Sequence, residues 1–267
     1  MAARSLTQIQ NSRTAQAGWA ALAVGALVLL TLAILAGAGR TRITATLSGS
    51  LVYGLIVLMV LRGLKGHAPH ARFGLANRVT LLRAGIAAVL SAIAVEGLIG
   101  GYNGLELGSV RGNIWSWSVV VAGLAALVLD GVDGWLARRL ELTSAFGARF
   151  DMEVDALSVL ALCMLVVVSG RAGGWVLLIG LTRYGFVGLG RLWPALAAPL
   201  TPSLRRQTVC VLTTLALLAA LLPAVQPPGP GILLGSSLAA LVWSFGADIL
   251  TLLTRGRGRR AAVSTIN

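Results

Sequence analysis

Long apolar segments separated by short polar segments run through most of the chain. Continuous apolar stretches of about 20 residues are long enough to cross the hydrocarbon core of a bilayer as an α-helix. Eight stretches are predicted to be transmembrane helices: residues 17–38, 45–62, 79–99, 115–137, 150–169, 174–193, 207–223 and 231–253. They do not alternate polar and apolar residues, as the strands of a membrane barrel do. The pattern therefore predicts an all-α polytopic membrane protein.

The polar segments divide these helices into groups. Residues 1–16 are predicted to be a loose cytoplasmic tail, followed by a two-helix transmembrane hairpin at 17–62. A basic, Gly- and His-containing cytoplasmic link at 63–78 separates the hairpin from a six-helix body at 79–253. The Gly- and Arg-rich segment 254–267 is predicted to be a disordered basic tail, also cytoplasmic.

Composition and charge narrow the class of protein. The chain is 57% hydrophobic and 12% charged, which excludes an ordinary soluble domain. The basic residues behind its net charge of +13 lie mostly in alternate loops, with Arg40 and Arg42 as the main exceptions. This asymmetry follows the positive-inside rule and predicts that both termini lie on the cytoplasmic side. The basic side would attract anionic membrane lipid, and no motif indicates nucleic-acid binding.

Carboxylates at regular spacing lie where two predicted helices meet the cytoplasmic side. One helix face carries four residues at i, i+3, i+4 and i+7: Asp130, Asp133, Gly134 and Ala137. The next helix carries three at i, i+4 and i+8: Gly147, Asp151 and Asp155. Carboxylates at membrane depth cost several kcal/mol unless they are paired or metal-bound. The two faces therefore predict a metal site, and its hard oxygen ligands suit Mg²⁺ or Mn²⁺.

The same residues resemble the signature of the CDP-alcohol phosphotransferase (CDP-alcohol phosphatidyltransferase) family. That signature is Asp-x-x-Asp-Gly-x-x-Ala-Arg, eight residues, then Gly-x-x-x-Asp-x-x-x-Asp. Its positions are filled here by Asp130, Asp133, Gly134, Ala137, Arg138, Gly147, Asp151 and Asp155. So many fixed residue types are far more specific than a single glycine loop. The resemblance implies a six-helix catalytic core and transfer of a phospho-alcohol group from a CDP-alcohol to a second alcohol, with release of CMP.

The resemblance also implies roles for individual residues. Asp130, Asp133 and Asp151 would bind two Mg²⁺ or Mn²⁺ ions, with Asp155 as a further ligand or as the general base. The residues that would bind the CDP group are Asp130, Gly134, Ala137, Arg138, Gly147, Asn77 and Thr80. Asn77 and Thr80 belong to a second, weaker resemblance: the helix entry LANRVTLLR matches Pro-Asn-x-x-Thr-x-x-Arg, with Ala76 in place of proline. The alternative for this segment is an ordinary helix cap by Asn77.

Basic residues provide candidates for binding the acceptor. Arg183 lies within an apolar stretch, where an arginine is costly unless it is paired or faces a cavity. The predicted acceptor-binding residues are Arg183, Arg191 and Arg83, and Arg205 and Arg206 extend the same basic group. A phosphorylated polyol would suit such a pocket. For Arg191, Arg205 and Arg206, the ordinary positive charge of a cytoplasmic face explains the sequence equally well. Asp248 is a candidate partner for one of these arginines.

Several functions fit these patterns. The donor favoured by the resemblance is CDP-diacylglycerol, although a soluble CDP-alcohol with diacylglycerol as acceptor shares the same signature. The acceptors that remain open are glycerol phosphate, inositol, inositol phosphate, serine, choline and another phospholipid. Members of the family commonly form homodimers. The alternatives to an enzyme are a transporter or flippase that uses the aspartates for ion binding, and an inactive scaffold.

Overall fold

Helices make up nearly all of the structure. The computed structural model describes residues 2–64, 73–100, 114–139, 144–192 and 203–264. Within these ranges the elements are α1 (Ala2–Gly37), α2 (Ile43–Leu64), α3 (Leu75–Gly100), α4 (Ile114–Arg139), α5 (Ala145–Val168), a 3-10 helix (Gly174–Val176), α6 (Leu177–Leu192), α7 (Leu204–Leu221) and α8 (Gly229–Ser264). The described residues contain no strand, which confirms the all-α fold class.

Six of the described helices are long and apolar enough to cross a membrane. They are α1, α2, α3, α4, α7 and α8. The predicted number of eight is not reached, for two different reasons. The first half of α5 carries Asp151, Glu153 and Asp155, and α6 has only 16 residues. Six apolar helices nevertheless indicate a multi-pass membrane protein.

Both ends of the chain differ from their predicted form. α1 begins at Ala2, so residues 2–16, which were predicted to be a loose tail, are helical. Gly and Pro are absent from this segment, so nothing in it interrupts the helix. α8 continues to Ser264 rather than ending at 253, so the predicted disorder is not found over 254–264. Pro is absent after Pro230, and the arginines and alanines of this segment favour a helix.

Two clusters of buried apolar side chains hold the helices together, and α3 contributes to both. The larger cluster joins α3 to the helices that follow it, and it includes Leu90 of α3 and Leu162 of α5. The second cluster joins α1 and α2 to α3 and to the start of α5. Ala84 and Ala88 of α3 have no exposed surface in this second cluster. Small side chains allow close helix packing, so α3 forms the centre of the bundle.

An ion pair ties α2 to α3 at the end of the bundle where α2 begins. Glu96, near the end of α3, accepts a hydrogen bond from Thr44 and pairs with Arg42, whose Nε lies 3.7 Å from its Oε1. Arg42 was one of the two exceptions to the charge asymmetry. The pairing gives the charge of Arg42 an acidic partner on this side of the bundle.

Candidate active site

The four aspartates of the motif surround one buried arginine of α3. The side chain of Arg83 is only 3% exposed. Its Nη2 lies 2.8 Å from Asp130 Oδ1, and its Nη1 lies 2.7 Å from Asp133 Oδ2 and 2.5 Å from Asp151 Oδ1. Nη2 also donates to Asp155 Oδ1. One guanidinium among four carboxylates leaves an excess of negative charge, which favours the binding of further cations.

Three of the four carboxylates form a compact group. Oxygen atoms of Asp130, Asp151 and Asp155 all lie within 4.8 Å of one another. These side chains are 31%, 36% and 46% exposed, so a ligand can reach them. The donor set contains only carboxylate oxygens, the ligands preferred by Mg²⁺ and Mn²⁺. The residues therefore fit a hard divalent cation.

Asp133 differs from the other three. Its side chain is 4% exposed. Its Oδ2 accepts hydrogen bonds from Thr80 Oγ1 at 2.9 Å and from Arg83 at 2.7 Å. Buried carboxylates are stable only when they are paired and hydrogen-bonded. Asp133 thus links α4 to α3 at the base of the site and lies outside the compact group of three.

The starts of α3 and α5 and the end of α4 meet at the site. The start of α5 is set by Ser144, the N-cap residue, whose Oγ accepts a hydrogen bond from the backbone N–H of Gly147 at 3.0 Å. A Cβ atom on Gly147 would lie 3.1 Å from Asn77 Oδ1 and 3.1 Å from Ser144 Oγ. The absence of a side chain at Gly147 therefore allows α5 to approach the first turn of α3.

The residues predicted to bind CDP divide between two helices. Asn77 lies against Gly147, and Thr80 donates to Asp133 and to the carbonyl oxygen of Ala76 at 3.0 Å. Gly134 and Ala137 are partly exposed on α4. The side chain of Arg138 lies outside the described part of the structure. The second helix-entry motif and the aspartate motif therefore meet in space, although more than 50 residues separate them.

The arginines predicted to bind the acceptor have partners of different kinds. Arg183 pairs with Glu153, with 2.6 Å between Nη2 and Oε1. Asp248 pairs with Arg205 at 2.5 Å and with Arg206 at 3.7 Å, which confirms Asp248 as an arginine partner. Arg191 is exposed at the end of α6. Arg83 lies within the aspartate cluster itself rather than beside these residues.

Sequence reasoning missed two features of the site. The first is the central position of Arg83, which was considered only as an acceptor-binding residue. The second is the pairing of Arg183 with Glu153, although an arginine in an apolar stretch requires a partner and Glu153 points away from the Asp151 face.

The fold and the site define a multi-pass helical membrane protein with a carboxylate site suited to divalent metal. The family model for CDP-alcohol phosphatidyltransferase matches residues 73–247. Because the match covers more than half of the chain, the protein belongs to the CDP-alcohol phosphatidyltransferase family. Membership makes it a transferase of phospholipid synthesis that acts on a CDP-alcohol. No solved structure gives a significant match. The matched region contains the whole aspartate cluster and begins after α2.

Proposed function

We propose that the protein transfers a phosphatidyl group from CDP-diacylglycerol to a second alcohol and releases CMP. The observation that carries this proposal is the compact group of Asp130, Asp151 and Asp155, within the matched region, near the end of α4 and in the first half of α5. A site at that depth can receive a nucleotide from the aqueous side while the acyl chains of the donor remain in the bilayer. This placement is compatible with the lipid-linked donor that the resemblance favours.

The same three aspartates would hold Mg²⁺ or Mn²⁺, and we propose that two ions bind there. When bound, such ions neutralise the diphosphate and stabilise the charge that develops on its oxygens. Asp133 would complete the ligand set or, in keeping with its hydrogen bonds, orient Thr80 and Arg83 beneath the cluster. Arg83 balances part of the carboxylate charge and keeps the three helices together.

The transfer itself would be a displacement at phosphorus. The hydroxyl oxygen of the acceptor forms a bond to the phosphorus that carries the diacylglycerol, and the bond from that phosphorus to the bridging oxygen breaks. CMP leaves with the bridging oxygen. Asp155 has the most exposed carboxylate of the four, and it would accept the hydroxyl proton as the new bond forms.

The nucleotide would lie between α3 and α4. Asn77 and Thr80 would border it on one side. Gly134 and Ala137, which lack bulky side chains, would leave room for it on the other side. Arg138 would follow them at the phosphate end, where a planar guanidinium can bind two oxygens at once.

The acceptor would bind on the α6 and α7 side of the cluster. Arg205 and Arg206 both pair with Asp248, so two guanidinium groups lie close together on this side of the cluster. Arg191 and Arg183 extend the basic surface, although Glu153 offsets the charge of Arg183. A basic surface favours an anionic acceptor such as a phosphorylated polyol over a neutral alcohol.

The site would face the cytoplasm. The basic loops predict this orientation for the aspartate motif and for both termini. With α5 and α6 inserted beside the six apolar helices, all eight α-helices of the described residues would lie in the membrane. Arg83 and Arg183 offset carboxylate charges of α5, which lowers the cost of inserting it. A homodimer through membrane helices is also proposed.

The proposal is tested by identifying the product. Purified protein in vesicles containing CDP-diacylglycerol and Mn²⁺ would be offered each candidate alcohol in turn. One acceptor should give CMP and a new phospholipid in equal amounts, and a phosphorylated polyol should be preferred to its dephosphorylated form. If wild-type protein binds Mn²⁺ but forms no CMP with any acceptor, CDP-diacylglycerol is not the donor.

A further inference from the structure

The amino-terminal helix pair, α1 and α2, lies outside the region that matches the family, yet it packs on helices that carry the site. Side chains of the pair, including Leu32 and Val60, are buried together with Ala84 of α3. The same cluster includes Phe146 and Phe150 of α5. The pair is therefore in contact with α3, which carries Arg83, and with α5, which carries two of the aspartates.

The contact nearest the site joins Gly63 of α2 to Phe146 of α5. A Cβ atom on Gly63 would lie 2.6 Å from Cε2 and 2.8 Å from Cδ2 of the Phe146 ring. No side chain fits at Gly63 unless the ring moves. The Phe146 ring stacks on Phe150, with 5.9 Å between the ring centroids, and both rings are buried. A displaced Phe146 would consequently disturb Phe150 as well.

The two phenylalanines are coupled to the aspartates by the helix itself. Phe146 and Phe150 are spaced i, i+4 on the face of α5 that meets the amino-terminal pair. Gly147 and Asp151 each follow one of them directly in the chain. An α-helix moves as a rigid unit over a few turns, so a shift of the phenylalanine face also shifts Asp151 and Asp155.

α1 fixes the end of α2 that makes this contact. Arg13 Nη2 donates to the carbonyl oxygen of Leu64 at 3.3 Å, one residue after Gly63. Three residues further along α1, Gln16 Oε1 accepts a hydrogen bond from the backbone N–H of Phe73 at 3.3 Å. Phe73 lies two residues before the start of α3. α1 therefore connects the end of α2 to the start of α3, and Gly63 is held in place relative to the site.

We infer that the amino-terminal helix pair positions Asp151 and Asp155 for metal binding through the Gly63–Phe146 contact. Gly63 and Phe146 are positioning residues in this account, since neither touches the carboxylate group. Residues that orient metal ligands commonly change metal affinity by about 10- to 100-fold when they are altered. The inference rests on the proposed function only in taking the aspartates as ligands of a divalent cation.

The test uses size complementarity between the two residues. Gly63→Ala should lower the affinity for Mn²⁺, measured by electron paramagnetic resonance without substrate, by about 10-fold. The double variant Gly63→Ala/Phe146→Leu, with a smaller side chain facing the new methyl group, should bind Mn²⁺ more tightly than Gly63→Ala alone. The matched control is Gly54→Ala on the same helix, where a Cβ atom meets nothing within 4 Å. This control should bind Mn²⁺ like the wild type.

A metal-free measurement accompanies the titration. Backbone amide exchange at residues 145–151 should be faster in Gly63→Ala and should slow again in the double variant. If Gly63→Ala binds Mn²⁺ and exchanges its amide protons like the wild type, the inference is overturned. It is also overturned if Gly63→Ala loses Mn²⁺ affinity and the added Phe146→Leu substitution does not restore it. If Gly63→Ala fails to fold, Phe146→Ala replaces it, and an unchanged Mn²⁺ affinity in that variant overturns the inference. Wild-type protein that binds Mn²⁺ without releasing CMP would contradict the proposed function. The Mn²⁺ affinities of the wild type and the Gly63 variants would still test the inference.

Discussion

Arg83 explains how four acidic side chains can lie together at the end of a membrane helix bundle. It contacts all four, and its own side chain is almost completely buried. A guanidinium has five N–H donors in a planar arrangement, whereas an ammonium group is a compact point charge. The shape of the arginine, as well as its charge, therefore determines which carboxylates it can reach.

Replacement of Arg83 should weaken the folded protein. Arg83→Gln leaves Asp133 buried without its charged partner, and loss of one member of a buried pair costs about 3–5 kcal/mol. Arg83→Lys should recover only part of the loss, because one ammonium group cannot bridge the same carboxylates. Thermal unfolding in detergent gives the comparison, with Arg62→Gln at an exposed position of α2 as the control. Equal stability of wild type, Arg83→Lys and Arg83→Gln would show that the cluster does not depend on the guanidinium.

Asp130 and Asp133 are three residues apart, but the structure gives them different surroundings. Asp130→Asn should reduce Mn²⁺ affinity by about 10-fold or more with a small effect on stability, because its side chain belongs to the exposed group of three. Asp133→Asn should mainly reduce stability, by about 1–3 kcal/mol, because it weakens a buried hydrogen-bonded group. Titration with Mn²⁺ and thermal unfolding of both variants separate the two effects. If instead Asp133→Asn lost Mn²⁺ affinity and Asp130→Asn lost stability, Asp133 would be the principal ligand.

At the residue scale, the sequence predicted which side chains form the cluster but not what holds them. Because Asp151 and Asp155 are four residues apart on one helical face, the sequence predicted that their side chains point in the same direction. Arg83 lies 50 residues before Asp133 in the chain, and no local pattern links two residues at that separation. The hydrogen bonds of Thr80 and the contact of Asn77 with Gly147 depend in the same way on how α3 and α5 pack.

At the scale of single helices, the start of α5 determines where two of the aspartates lie. Ser144 caps this helix through its side chain, whereas Ser203, at the same position before α7, makes no side-chain cap bond. The two serines therefore form a natural comparison. If the alanine variants of the two serines differ in stability or Mn²⁺ affinity, the difference reflects the cap hydrogen bond, because the residue type and the position before the helix are the same.

Ser144→Ala should destabilise the protein by about 1 kcal/mol, the usual contribution of an N-cap side chain. It should also reduce Mn²⁺ affinity, since the first turns of α5 fray when the Gly147 amide loses its acceptor. Ser203→Ala should leave both quantities unchanged. Thermal unfolding and Mn²⁺ titration measure them. If both variants behave alike, the cap does not contribute to the site.

Helix existence was more predictable than helix ends. Apolar length alone predicted the eight described α-helices, but α1 begins well before residue 17 and α8 continues past 253. The polar residues of 2–16 carry no apolar pattern, although Arg13 and Gln16 make tertiary hydrogen bonds. Tertiary packing, which hydropathy does not report, therefore extends α1 beyond its apolar segment.

At the scale of the whole molecule, α2 and α4 run antiparallel to α3, and α5 runs parallel to it. The candidate site lies where α3 and α5 begin and α4 ends, and the Glu96 ion pair lies where α2 begins and α3 ends. The distance from Arg83 to Glu96 along α3 is about 20 Å, from the rise of an α-helix. The acidic site and the Glu96 pair are thus at opposite ends of the same helix.

The proposed orientation predicts the location of both termini. Reporter fusions at the amino and carboxyl ends should give a cytoplasmic signal, because the distribution of basic residues predicts the cytoplasmic side for both ends. A reporter inserted after Pro227, between α7 and α8, should give the opposite signal and serves as the control. Termini that report different sides would mean that the chain crosses the membrane an odd number of times.

The family and the acidic site could be predicted from sequence, but the contribution of the amino-terminal pair could not. The signature residues from Asp130 to Asp155 are close in the chain, so their pattern was visible in one segment. Gly63 and Phe146 carry no motif, and their importance appears only when α2 and α5 are seen in contact. The number of apolar helices also differs from the predicted eight, because the charged residues that form the site make α5 too polar to be counted among them.

The central claim is that Asp155 takes part in metal-dependent release of CMP. Its most direct test compares wild type, Asp155→Asn and Glu96→Gln in vesicles with CDP-diacylglycerol, the best acceptor and Mn²⁺. CMP release should stop when the metal is chelated and should fall by at least about 100-fold in Asp155→Asn, as expected for loss of a general base. Glu96→Gln, which alters a carboxylate at the far end of α3, should remain active. Metal-independent release, or an Asp155→Asn variant as active as the wild type, would contradict the account.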